Sequence, residues 1–151
     1  MSSATGDMQR IPLDSLSAQE LDSMRQQLEA EAQNLMQGLL ALQQSAAKFA
    51  AAGQAVEYLH EQKQGQPVLV PLTESLYVSG SLETVDSVML EVGTGYYVER
   101  DVEGGIDFCR RKVLTLKEKI EQVAQNIQQR RAMADHAAGA LQAKLSQEGR
   151  S

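Results

Sequence analysis

The chain has 151 residues, with 20 Asp and Glu against 14 Lys and Arg, a net charge of −6, no Trp, two Phe, four Tyr and one cysteine. This acidic balance argues against a nucleic-acid partner, the lone cysteine excludes an internal disulfide or a CxxC metal site, and no run of about 18 apolar residues is present to cross a membrane. The length suits one ordinary domain, but the Ala, Gln, Glu, Leu and Lys that dominate the chain suit long helices better than a globule.

The N-terminal "MSSATGDMQR" lacks the apolar core of a secretory signal, so a soluble intracellular protein is expected, with residues 1–14 as a flexible end. In "LSAQEL", Ser17 and Glu20 have the spacing of a capping box, and Leu16 and Leu21 that of a hydrophobic staple. A helix is therefore predicted from residue 18, running to 64. Along it Leu21, Leu28, Leu35, Leu42, Phe49 and Val56 recur every seven residues. Met24, Ala52 and Leu59 supply a second seam at +3, and Ala32, Leu39 and Ala46 fill in at +4. Such heptads specify a coiled coil. Gly38 and Gly53 fall inside this helix, each costing about 1 kcal/mol relative to Ala. Gly65, with Pro67 beyond it, reads as the stop.

From residue 67 to 100 the period changes to two. "PVLVPL" is continuously apolar, "SLYVSGSL" and "DSVMLEV" alternate, and "YYVER" follows a Gly-Thr-Gly link. Four short strands in two hairpins are predicted, one turning at residues 73–75 and the other at Gly93, Thr94 and Gly95. The Gly-Thr-Gly link resembles a phosphate loop only in its glycines. A P-loop needs a Lys after its second Gly, where Tyr96 stands here, and a dinucleotide-binding GxGxxG lies between a strand and a helix, whereas a strand follows this link. The glycines instead supply the positive φ of a hairpin loop.

The second helix is predicted over 104–146, with residues 147–151 as a flexible tail. Ile106, Val113, Ile120, Ile127, Ala134 and Leu141 step by seven, with Cys109, Leu116, Val123 and Ala137 at +3. Arg130 and Lys144 occupy +3 positions where an apolar residue is due, so the seam weakens toward the C-terminus. Helices of roughly 70 and 60 Å are matched well enough to lie antiparallel as a hairpin. The expected fold is mainly α with a small β region: a single domain over 1–151, in which two β-hairpins join an antiparallel two-helix coiled coil. Isolated two-stranded hairpins are marginal, and "VLVPL" is apolar on both faces. Strands from several chains must therefore close a barrel, the assembly residues being Leu69, Val70, Leu72, Leu76, Val78, Val88, Leu90, Val92, Tyr96 and Val98.

The succession of coiled-coil helix, "VLVPLTESLYVSG", "VMLEVGTGYYVER", "DFCRRKV" and second helix resembles the α-class subunits of prefoldin over roughly residues 14–145. Its specific parts are residues 69–72 and 92–99, and two hairpins where β-class subunits are shorter. The resemblance implies a heterohexamer with one more α-class and four β-class subunits. It also implies capture of unfolded actin and tubulin at the coiled-coil tips, transfer to the cytosolic chaperonin without nucleotide hydrolysis, and a cytoplasmic location with a nuclear one also open. Tip candidates are Met8, Ile11, Leu13, Leu16, Met24, Met133 and Leu145. Leu21 and Leu141 lie there too but keep the heptad phase of packing residues.

Cys109 on the inner seam reads as a small hydrophobe, and His60 and His136 as surface residues without metal-type partners. No catalytic constellation, cofactor or metal ligand set is expected. The alternative function is a coiled-coil adaptor or tether holding two folded partners. It would bind native proteins stoichiometrically, where a holdase suppresses aggregation of unfolded ones.

Overall fold

A computed structural model of the chain describes residues 12–150. A single 3-10 turn, Leu13–Ser15, leads into helix α1, Ala18–His60. The capping box forms in both directions: the Ser17 N–H donates to Glu20 Oε2 at 2.8 Å, and the Glu20 N–H donates to Ser17 Oγ at 3.2 Å. The helix runs unbroken through Gly38 and Gly53.

It ends four residues before the expected 64. There the Glu61 and Gln62 N–H groups reach back three residues, to Tyr58 and Leu59, instead of four. Gly65, at φ 82°, then gives its N–H to the Leu82 carbonyl while Leu82 donates to Gln66. These residues leave the helix because they begin the ladder of the first hairpin.

That hairpin pairs β1, Pro67–Pro71, with β2, Tyr77–Ser81, antiparallel and with Val70 opposite Val78. The turn between them is closed by the Leu76 N–H on Thr73 Oγ1 at 3.1 Å and by the Leu72 N–H on the Leu76 carbonyl at 2.8 Å. Leu72 and Leu76 therefore sit in the turn rather than in the strands.

The second hairpin pairs β3, Ser87–Gly93, with β4, Tyr96–Asp101, Leu90 lying opposite Val98. A register irregularity between Glu91 and Gly93 brings Gly93 opposite Tyr96 and leaves Val92 over. The link is thus two residues, Thr94 and Gly95, not three. Gly93, Thr94 and Gly95 all have positive φ, of 136°, 43° and 80°. Positive φ at both loop residues matches the twist of antiparallel strands. The two hairpins form separate two-stranded sheets.

Helix α2, Val102–Glu148, starts two residues earlier than expected and ends two later. Asp101 caps this helix, its Oδ1 accepting the Gly104 N–H at 2.9 Å, and the paired glycines Gly104 and Gly105 lie in its first turn. The glycines are there for clearance. A Cβ on Gly105 would stand 2.8 Å from Val88 Cγ2, so β3 crowds this first turn, while Val56 Cγ1 of α1, at 3.5 Å, would be in ordinary contact. Residues 147 and 148, expected in a flexible tail, are helical, and residues 13 and 14 belong to the ordered turn. Residues 1–11 and 151 lie outside the described part.

The chain divides into two compact units. One holds α1 as far as Leu40 with α2 from Glu121. Its interior is Leu21, Leu28 and Ala32 against Ile127, Ala134 and Ala137, as the heptads require. Here Glu31 meets Arg130 at 2.9 Å and Lys144 reaches back to Leu16, so the two helices run antiparallel.

The other unit holds Ala41–Ile120, with both hairpins. Its buried side chains are Val102 and Cys109, supplemented by half-buried Phe49 and Phe108, whose rings meet edge to face at 6.4 Å. The seam departs from the expected one at a single step. Ala52 is exposed and Gly53 faces inward, where a Cβ would lie 3.3 Å from that of Cys109.

Candidate binding surfaces

The first surface is made by the hairpins. In an antiparallel pair, opposed residues share a face, so Val70 with Val78, and Leu90 with Val98, form two apolar cross-strand pairs. Val88, two residues from Leu90 on the same face, lies against Gly105 at the start of α2, and both Val88 and Leu90 are half-buried there. The other assembly candidates are exposed. Leu69 is 69% and Tyr96 73% accessible, and Val70, Leu72, Leu76, Val78, Val92 and Val98 also face outward.

Tyr77, Met89 and Tyr97 are exposed as well. The sequence reading passed over them, because a period of two assigned them to the side away from the core. With two strands per sheet neither side is a core, so apolar residues on both faces remain uncovered. Among the described residues the outer edges of these strands have no ladder partner, and exposed edges beside apolar surface favour association.

The second surface lies where the helix ends meet. Leu13, Leu16 and Met24 are half-buried, Leu145 is 54% accessible, and Lys144 brings the C-terminal end of α2 onto residues 14 and 16. Leu21 is fully buried and Leu141 half-buried, which makes them packing residues of the seam. Met133 is exposed and lies further along α2. It stands twelve residues before Leu145, about 18 Å along the helix at 1.5 Å per residue. Met8 and Ile11 lie outside the described residues.

The two polar residues in the seam of α2 both have partners. Arg130 Nε forms an ion pair with Glu31 Oε2 at 2.9 Å, at an angle too oblique for a hydrogen bond, and Lys144 donates to the carbonyls of Leu16 and, at 3.3 Å, Asp14. Arg131, one residue on, donates to the sulfur of Met36 at 2.8 Å. Charged groups at seam positions fix register at some cost in stability. The expected weakening of the seam is replaced by specific cross-helix contacts, which no spacing within one helix could have revealed.

Elsewhere the chemistry is sparse. Burial raises the Cys109 thiol above its ordinary range, the opposite of what a nucleophile needs. His60 and His136 are exposed. Among the described residues no three His, Cys, Asp or Glu side chains gather as a metal site would require, and no helix is long and apolar enough to cross a membrane. The loop after β3 leads into a strand, so its N–H groups do not converge at a helix start as a phosphate loop's do.

Comparison with known proteins gives a consistent result. A family model described as "Prefoldin subunit" matches residues 19–147. The prefoldin subunit 5 of Arabidopsis thaliana is 35% identical over 146 residues, covering 97% of this chain and 93% of that one. The human prefoldin subunit 5 is 32% identical over 139 residues, covering 92% and 90%. Among solved structures, a chain of filamentous PFD from Methanocaldococcus jannaschii superposes with a TM-score of 0.51 over 80% of this chain and 94% of its own length, at 21% identity.

Proposed function

The chain belongs to the prefoldin family, whose members are non-enzymatic chaperone components, and we propose that it serves as an α-class subunit of a heterohexamer that holds unfolded proteins without ATP. In this reading it joins one more α-class and four β-class subunits through its hairpins. It captures unfolded actin and tubulin at its helix ends and passes them to the cytosolic chaperonin in the cytoplasm. The likeness to proteins named prefoldin subunit 5 supports this place in the assembly.

The observation that carries the proposal is the uncovered apolar surface of the hairpins. Leu69, Val70, Leu72, Leu76, Tyr77, Val78, Met89, Val92, Tyr96 and Tyr97 are all exposed in a unit whose own interior is thin. Apolar burial contributes roughly 25 cal/mol per Å², so covering this surface with strands of other subunits would supply a large driving force.

Native mass spectrometry of the chain co-expressed with the other prefoldin subunits tests the assembly, with a six-chain complex containing two α-class subunits as the expected result. A one-to-one complex with a folded partner would support the adaptor reading instead. Suppression of actin aggregation on dilution from guanidinium, measured without nucleotide, tests the capture step.

A further inference from the structure

We propose that Lys144 is a latch: it holds residues 12–16 closed against the end of α2, and its release opens Leu13 and Leu16 to an unfolded chain. The inference rests on the capture reading above and adds the regulation of that same surface.

Lys144 stands three residues after Leu141, where the heptad calls for an apolar side chain, and it is half-buried. An ammonium there loses stability unless acceptors replace its water. It finds them 128 and 130 residues earlier, on the carbonyls of Leu16 and Asp14. Neither carbonyl is used by the turn or by α1, whose first bonds go to Pro12, Leu13 and Ser17.

Among the described residues the segment has little else to hold it. Its own hydrogen bonds are local: the Ser15 N–H and hydroxyl on the Pro12 carbonyl at 3.0 and 2.8 Å, and the Leu16 N–H on Leu13 at 3.2 Å. One isolated 3-10 turn does not hold its own shape in water. Its position therefore depends on the lysine and on the partial burial of Leu13 and Leu16.

With the latch closed, both leucines spend part of their apolar surface on the chain's own helix end. With it open, that surface is free for a client. The hydrogen bonds between Lys144 and the two carbonyls are charge-assisted, so removing them should raise the open fraction roughly tenfold.

The test uses hexamers reconstituted with the full-length chain carrying Lys144→Met, which completes the apolar seam without a donor, or Lys144→Arg, which keeps the charge and donors. Amide hydrogen exchange at Ser15 and Leu16 should rise roughly tenfold in the Met variant and stay near the original in the Arg variant, while exchange across residues 24–36 is unchanged. Capture of guanidinium-unfolded actin should rise in the Met variant alone. Unchanged exchange at Ser15 and Leu16 would show that no latch exists. Faster exchange with unchanged capture would show a turn that opens without governing binding, and would equally overturn the proposal. A hexamer lacking residues 1–16 of this chain, run in parallel, separates the two levels: reduced capture there upholds the capture reading whatever the latch variants do.

Discussion

Single residues show how differently one amino acid can be used. Gly38 has nothing within 4 Å of where a Cβ would stand, so Gly38→Ala should stabilise α1 by about 1 kcal/mol, read as a higher urea midpoint at unchanged slope. Gly53→Ala should lose most of that gain, because its Cβ would press on Cys109 at 3.3 Å. Gly105→Ala meets Val88 at 2.8 Å and should destabilise by about 1–3 kcal/mol, as overpacking does. The sequence displayed these three glycines as equals, since what each approaches is set by elements distant along the chain. At Thr94 a β-branched residue holds φ 43°, a conformation costing roughly 1–2 kcal/mol for an L side chain. Thr94→Gly relieves that strain, and Thr94→Asn should do so in part. Either should raise the melting temperature, and a fall in both would refute the strain. The Cys109 thiol, raised by burial, favours its neutral form when folded. Its contribution is fully present below the ordinary thiol range and is lost as pH rises through the folded value. Alkylation by iodoacetamide at pH 8 should be slower in the folded chain than after unfolding. Glu20 has the opposite sign: hydrogen bonds from the Ser17 N–H and hydroxyl hold it below the usual carboxylate range, so the cap should weaken as pH falls through that lowered value.

At the level of elements, the helices were largely legible because a seven-residue period survives wherever a helix packs on one stripe. Leu21, Leu28, Ile127, Ala134 and Ala137 are buried where the period puts them. The ends of the elements were not legible. α1 stops at His60 because residues beyond it are drafted into the first hairpin's ladder, and α2 starts at Val102 because Asp101 caps a turn that β3 crowds. Both are decided by neighbours in space. The hairpins yield a sharp test because their two candidate positions differ. Val70 is exposed in the single chain, whereas Leu90 is half-buried against its own unit. Val70→Asp should therefore leave helical circular dichroism unchanged and still prevent association, since a charge covered by a neighbouring strand without compensation costs several kcal/mol. Leu90→Asp should impair the chain itself as well as its assembly. Normal yields of hexamer with Val70→Asp would remove that strand from the interface.

The whole molecule presents apolar surface in two places whose roles can be separated by what each has beneath it. The hairpins rest on a unit with little interior, so their exposed side chains are needed for a cover that stays. The helix ends lie on a well-packed seam headed by Leu21, so Leu13, Leu16 and Leu145 can be covered or uncovered without unfolding what lies below. A permanent interface and a reversible one would be built in these two ways. Deleting residues 1–13 and all those after Ala143 removes Leu13, Leu145 and the latch, together with Met8 and Ile11, while both hairpins and the heptads up to Leu141 remain. Assembly should survive this truncation. Capture should fall although the latch is gone, because Leu13, one of the two side chains that the latch would have released, is gone with it and so is Leu145, leaving Leu16 alone. The loss should be partial, since in the proposed hexamer this chain would supply one of six helix pairs and binding would be shared among the rest. Light scattering of guanidinium-diluted actin, at equal concentrations of hexamer verified by native mass spectrometry, measures it. Full protection by the truncated assembly would exclude these ends from the capture surface and leave the subunit an architectural part of the complex.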